Sequence, residues 1–215
     1  ATEVKLALYG DNSKNYTNGA EETIVMNKGE NGTWYVEKLG DLNGEYYNYL
    51  VTIDGNINEV TDPYAKAVGV NGNRGMVVDL ASTNPEGWEN DTKPALVDPT
   101  DSIIYEMHIR DFSIDENSGI TLEYKGKYNG VWQSGTTIPG SDVKTGVDHL
   151  KELGVTTVHI LPTFDHRSID ETKLDTNQYN WGYDPQNYNV PEGSYSSDPY
   201  AGEIRIKEFK EMVQE

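Results

Sequence analysis

The run Val155-Thr156-Thr157-Val158-His159-Ile160-Leu161-Pro162 is apolar or β-branched almost throughout. A run of this kind, lacking polar alternation, is the pattern of a parallel strand buried on both faces. Just before it, Val147, Leu150 and Leu153 recur at helical spacing within Val143 to Leu153, and Gly154 supplies the stop. Further upstream, Ile103-Ile104-Tyr105-Glu106-Met107-His108-Ile109 is a second β-branched run. Strand, long connection, helix, strand predicts a βαβ unit. Downstream, Ile206, Phe209 and Val213 place one more helix from about Glu203 to Glu215.

Upstream of this unit the grammar changes. From Ala81 to Asp101, Pro85, Pro94 and Pro99 stand among Ser, Thr, Asn and Asp, which is linker composition. Before it, short runs alternate with turn signals, as in an antiparallel sandwich. Val4 to Tyr9 alternates and is broken at Gly10-Asp11-Asn12. Asn31-Gly32 precedes Thr33-Trp34-Tyr35-Val36, and Asn43-Gly44 precedes Glu45 to Ile53. Asp54-Gly55 then closes that long run as a hairpin turn. Met76-Val77-Val78-Asp79-Leu80 completes the set, and no long amphipathic helix is predicted before Leu80. Two units are therefore expected, residues 1–95 and residues 96–215.

The chain carries 17 Lys+Arg against 36 Asp+Glu, a formal charge of −19, which argues against nucleic acid and anionic membrane surfaces as partners. Fifteen Tyr and four Trp supply the apolar mass that a disordered acidic chain lacks, so a folded, soluble protein is expected. With no Cys, disulfides and thiolate metal sites are excluded. No apolar run approaches the roughly 20 residues of a membrane-spanning helix. The Asn-x-Ser/Thr triplets at Asn15, Asn31 and Asn90 are what an Asn-rich chain yields by chance.

One further stretch carries more specific information: Tyr179-Asn180-Trp181-Gly182-Tyr183-Asp184-Pro185, continuing through Asn187-Tyr188-Asn189-Val190-Pro191-Glu192-Gly193-Ser194-Tyr195 to Asp198-Pro199. It resembles the signature of pullulanases, debranching enzymes of the alpha-amylase superfamily. Ile104 to Ser113 is similar to that family's first barrel strand, and Gly146 to Val155 to its first barrel helix running into strand two. Arg205 to Val213 is similar to the helix after the signature. Gly32 to Val36, Gly44 to Tyr49, Asp62 to Ala65 and Val77 to Leu80 resemble the family's accessory starch-binding-type sandwich. The resemblance implies an all-β sandwich followed by the beginning of a (β/α)8 barrel, incomplete, with about two barrel strands. A closed barrel takes roughly 250 residues, and fewer than half that number follow the linker. An isolated strand pair is expected to leave apolar faces and a parallel edge uncovered.

The same resemblance implies a parent enzyme that hydrolyses α-1,6-glucosidic linkages without a cofactor. Its partners would be α-glucans (pullulan, amylopectin, glycogen or their limit dextrins) and the remainder of the catalytic barrel. By resemblance, Tyr183 stacks under the glucose just before the scissile bond and Asp184 lies in the same subsite; Trp181 is the third candidate for substrate binding. The residue types suit that role, since aromatic plates meet the C–H faces of sugar rings and carboxylates bond their hydroxyls. Retaining hydrolysis needs two carboxyls about 5–5.5 Å apart, which in the family follow barrel strands four and five. No catalytic residue is therefore expected in this chain, and the chain alone is expected to be inactive. The alternatives are a non-catalytic α-glucan-binding module, or another member of the superfamily such as an isoamylase or branching enzyme. Zero Cys and high acidity suit a secreted or a cytoplasmic glucan enzyme alike.

The remaining candidates are assigned to structure. His108, His149, His159 and His166 form no i, i+4 pair, and His108 and His159 are placed within strands, so no metal site is expected. His108 and Arg110 are expected to orient the barrel mouth. Asp165, Asp170 and Glu171 are read as solvated loop charge. Alternation sends Tyr47 and Tyr49 to one face and Tyr46 to the other, and Trp34 is expected in the core.

Overall fold

A computed structural model describes residues 1–10 and 17–215. The break at Asp11-Asn12 and the triplet at Asn15 lie outside the described residues. The N-terminal sheet grows from two alternating strands. β1 (Glu3–Leu8) pairs antiparallel with β2 (Glu22–Val25), while β3 (Asn27–Lys28) and β4 (Trp34–Tyr35) form a separate two-stranded ribbon. β5 (Tyr46–Ile53) runs antiparallel along the other side of β1, with Leu6 opposite Tyr49. It then turns through Asp54 (φ 50°) and Gly55 (φ 81°) into β6 (Asn56–Val60). Two consecutive left-handed residues match the twist of a two-residue hairpin, which is why Asp-Gly stands there. β7 (Ala67–Val68) and β8 (Gly75–Met76) complete a six-stranded sheet of order β2-β1-β5-β8-β7, with β6 also on β5.

Antiparallel β structure is what a sandwich requires, but the layer on this sheet is partly helical. Ala7, Tyr9, Tyr46, Ala67 and Met76 bury against Ile206, which belongs to the last helix of the chain. Tyr46 is buried and donates to Tyr200 O at 3.0 Å, whereas Tyr47 and Tyr49 share the opposite face with ring centroids 5.9 Å apart. Two expectations are corrected here. Trp34 is only partly buried, because a two-residue ribbon offers it no second layer, and Lys28 lies 6.0 Å above its ring. The strand expected over Met76–Leu80 stops at Met76, because Asp79 caps a 3-10 turn by accepting from Ala81 N–H.

The Pro-rich stretch begins as a tethered segment. Lys210 Nζ donates to Leu80 O (2.7 Å), Thr83 Oγ1 (2.7 Å) and Asn84 Oδ1 (2.6 Å), and Gln214 donates to Glu86 O (2.9 Å). β9 (Ile104–Met107) follows, then α1 (Ile109–Ser113), α2 (Tyr128–Trp132) and α3 (Gly146–Leu153). Gly154 ends α3 in the left-handed region (φ 75°), its N–H returning to Leu150 O and Lys151 O. β10 (Thr157–Ile160) lies parallel to β9, Thr157 opposite Ile104 and Ile160 opposite Met107. β11 (Phe164–His166) and β12 (Pro185–Pro191) form a bulged antiparallel pair, and α4 (Gly202–Gln214) closes the chain. His108 is corrected from strand residue to N-cap of α1. The second strand's pattern of burial on both faces is not realised, since Val158 is 39% exposed; with Ile104 64% exposed, apolar surface stays uncovered as expected for an isolated strand pair. Tyr105, Met107 and Ile160 do pack, in a cluster with Tyr128, Tyr195 and Met212, while the face that carries Ile104 has no layer among the described residues. Among the described residues no helix is long and apolar enough to cross a membrane.

Candidate functional site: an aromatic loop over a buried ionic cluster

The connection from β11 to β12 carries Tyr179 to Asp184, and Asn180 organises it. Asn180 Oδ1 accepts from Gly182 N–H (2.9 Å), its Nδ2 donates to Asp184 Oδ1 (2.6 Å), and its carbonyl lies 2.8 Å from His108 Nε2. Asp111 N–H donates to His108 Nδ1, which leaves the proton on Nε2 and makes that nitrogen the donor to Asn180 O. Gly182 has φ +90°, and a Cβ there would meet Pro162 O at 2.8 Å, so only glycine lets the loop lie against the end of β10. A loop pinned inward by Asn180 presents its aromatic side chains outward. Trp181 is 61% and Tyr183 66% exposed.

Asp184 is held differently from its aromatic neighbours. Ser168 Oγ donates to one carboxylate oxygen and Asn180 to the other. Partial burial pushes the carboxyl up, but these hydrogen bonds outweigh it and hold Asp184 below the usual range, so it is ionised at neutral pH. Beside the loop is a cleft of about 340 Å³, lined among others by His108, Arg110, His166, Asn177, Asn180 and Tyr195. The rings of His108 and His166 both approach Tyr195, at 5.7 and 5.9 Å. His149 and His159 lie outside this cleft, and His159 pairs with Glu106 at 3.1 Å on the exposed strand face.

Beneath the loop lies a cluster that contradicts the reading of Asp165 and Glu171 as solvated charge. Both are buried, as is Glu192. The fully buried Arg205 of α4 sits among them, with Nη1 3.2 Å from Asp165 Oδ1 and Nη2 3.2 Å from Glu171 Oε2. Its guanidinium also donates to Pro199 O (2.6 Å), Pro191 O (3.3 Å) and Gly69 O (3.3 Å). Burial lifts the Asp165 carboxyl to about 7 despite Arg205 beside it, and burial with the neighbouring Glu171 charge lifts Glu192 to about 7. Among the described residues these three acids are the one group of potential metal ligands whose donor atoms converge. The guanidinium already fills the space between two of them, so a cation would have to displace it. Asp170, by contrast, remains partly exposed and pairs with Lys173 at 2.6 Å.

The cluster was hidden because its members are far apart in sequence. One local signal pointed to it: Arg205 stands next to Ile206 on the apolar stripe of α4, where a solvated arginine does not belong. The cluster also joins the N-terminal sheet to the loop. Asn71 N–H donates to Glu171 Oε2 (2.6 Å) and Glu171 N–H donates to Asn71 Oδ1 (2.7 Å). Asn187 Nδ2 bridges Asp165 Oδ2 (2.8 Å) and Gly72 O (3.1 Å).

No protein-family model matches the chain. Among curated proteins it is 41% identical over 200 residues to a pullulanase of Bacillus subtilis (strain 168), which covers 92% of this chain and 26% of the relative. It is 33% identical over 255 residues to the chloroplastic pullulanase 1 of Arabidopsis thaliana, covering 100% of this chain and 25% of that protein. The pullulanase of Paenibacillus barengoltzii, solved in complex with maltohexaose and alpha-cyclodextrin, superposes with a TM-score of 0.93 at 48% identity, over 100% of this chain and 32% of that one. The chain thus spans about a quarter of the length of these curated relatives. In sequence and in fold, the whole of this chain is homologous to a segment of the pullulanases.

Proposed function

We propose that the chain is the N-terminal part of a debranching glycoside hydrolase, with residues 1–95 as a starch-binding-type accessory sandwich and residues 96–215 opening a (β/α)8 barrel. On this reading β9 and β10 are the first two barrel strands, and their uncovered apolar faces meet the remainder of the barrel. Barrel enzymes build their sites at the C-terminal ends of the strands. The loop from Tyr179 to Asp184 rests on those ends, through His108 after β9 and Pro162 after β10. That placement, with two aromatic rings turned outward beside an ionised carboxylate, is the observation that carries the proposal.

Tyr183 then provides the plate under a glucose ring, Asp184 accepts from its hydroxyls, and Trp181 flanks the entry. The parent protein would hydrolyse α-1,6-glucosidic bonds in pullulan and branched α-glucans with retention, using two carboxyls that lie beyond these residues and no cofactor. The chain alone binds but does not cleave. Titration of the 215-residue chain with maltotriose, followed by tryptophan fluorescence, tests the binding half. Tyr183→Ala is expected to weaken binding about tenfold, the scale of one lost aromatic contact. Unchanged affinity in that variant would remove Tyr183 from the site, and release of reducing ends from pullulan by the purified chain would overturn the predicted inactivity.

A further inference from the structure

Two cavities of about 350 and 580 Å³ lie where the N-terminal sheet meets the β11–β12 pair, and they share Asn73, Arg167 and Gln186 as walls. We infer that together they form a second α-glucan subsite, a polar groove that takes the sugar arm leaving the Asp184 loop. The inference rests on the loop reading above and extends it to a separate surface.

The groove's polar groups are set in defined directions. Both protons of Gln186 Nε2 are committed, to Asn71 O (3.1 Å) and Gly72 O (3.2 Å), so its Oε1 is presented as an acceptor. Arg167 is exposed, and among the described residues no carboxylate or carbonyl pairs with its guanidinium, which leaves a planar donor on the facing wall. The Asn73 side-chain amide, also exposed, offers both functions. Val60 and Pro63 add a short apolar strip. A ligand here must donate to Gln186 and accept from Arg167, while tolerating Glu59 nearby in a chain of charge −19. Phosphates meet the second demand but not the first or third, and ammonium groups meet the first and third but cannot accept from Arg167. Vicinal hydroxyls, which donate and accept at once, meet all three.

Continuity with the loop is direct. Arg167 N–H donates to Asp184 O (3.1 Å), and Ser168, which lines the smaller cavity, holds the Asp184 carboxylate. Arg167 and Ser168 thus border both Asp184 and the groove, and on the proposed reading a glucan seated at Asp184 extends past them towards Asn73 and Gln186.

Isothermal titration of the 215-residue chain with maltose and with maltohexaose tests this. Arg167→Ala and Asn73→Ala, both at exposed positions, are each expected to weaken maltohexaose about threefold to tenfold, the worth of one or two hydrogen bonds, and to leave maltose unchanged. If Tyr183→Ala weakens both sugars while Arg167→Ala weakens neither, the loop reading stands and the groove is overturned. Equal loss for both sugars in Arg167→Ala also overturns the groove, since that variant would then be acting at Asp184. If Tyr183→Ala changes nothing while Arg167→Ala weakens maltohexaose, the loop reading fails and the groove survives as a site of its own.

Discussion

Replacing Arg205 with methionine tests the buried cluster most sharply, because methionine keeps the apolar stem of arginine and deletes the guanidinium at its end, with its charge and its donors. The guanidinium is fully buried and makes five hydrogen bonds, two to carboxylates and three to the carbonyls of Gly69, Pro191 and Pro199. Removing one partner of a buried ion pair costs about 3–5 kcal/mol, because the other charge is left in low dielectric without compensation. For a domain of this size each kcal/mol lowers Tm by roughly 2–4 °C, so a drop on the order of 10 °C is expected. The loss should also depend on pH in a definite sense. Burial lifts the Asp165 carboxyl to about 7 even with the Arg205 guanidinium pulling it down. Without the guanidinium, Asp165 in the folded variant takes up its proton at still higher pH and so escapes the uncompensated charge in mildly acidic solution. The deficit relative to wild type should therefore be largest at pH 8 and shrink towards pH 5. Thermal melts by circular dichroism at both pH values, with urea unfolding at one of them, read this directly. A deficit below about 1 kcal/mol at pH 8, the size of an ordinary exposed pair, or one identical at the two pH values, would refute the account of Arg205 as the counter-charge of a buried acid cluster.

Three further outcomes follow from the same geometry. In the wild-type chain, Asp165 and Glu192 have folded values raised to about 7, so the stability they contribute is fully present below about pH 4 and is lost as pH rises through 7; urea midpoints across that window should show a fall assignable to these groups. Gly72→Ala should destabilise by about 2 kcal/mol or more, because Gly72 has φ +63° and its Cβ would collide with Asp165 Oδ2 and come within 2.6 Å of Asn187 Nδ2; a wild-type denaturation curve would contradict this. Ile104→Thr and Val158→Thr, at exposed strand positions, should change stability by less than about 0.5 kcal/mol while reducing light scattering in concentrated solution.

What could be read from sequence was what short segments decide by themselves. The Asp54-Gly55 turn and the Gly154 stop of α3 each follow from the backbone freedom of one or two residues, and both stand in the structure as expected. The opposite faces of Tyr46 and Tyr47 follow from a period of two. Features that need a distant partner were illegible. β6 is exposed along its whole length and exists as a strand because β5 hydrogen-bonds it, not because its side chains seek a core. The tether on the Pro-rich stretch depends on Lys210, well over a hundred residues away. Asp165 and Glu171 looked like loop charge because the cations beside them in sequence, Arg167 and Lys173, belong to the same loop, and both stay exposed; the cation that accompanies the two acids into the interior arrives on α4. Of the candidate site, residue types singled out Tyr183 and Trp181, but neither their outward set nor the role of Asn180 in producing it emerged from residue types alone.

The arrangement implies that the loop's conformation is inherited from two sources at once. On one side, His108 and Pro162 hold Asn180 and Gly182 against the ends of β9 and β10. On the other, Gln178 ties the same connection to Asp170, whose Oδ1 accepts from Asn71 of the N-terminal sheet, one residue before Glu171 enters the ionic cluster. A sheet that contributed only a binding surface would need no such reach. Here its Gly69-to-Gly72 turn supplies backbone and side-chain partners to Arg205, Glu171, Gln186 and Asn187, all of them on the underside of the loop. Separating the sheet from the rest would strand buried polar groups on both sides of the seam, at about 1–3 kcal/mol for each group left unpaired. The N-terminal sheet is therefore a structural component of the candidate site, and any sugar affinity of its own would be additional to that role.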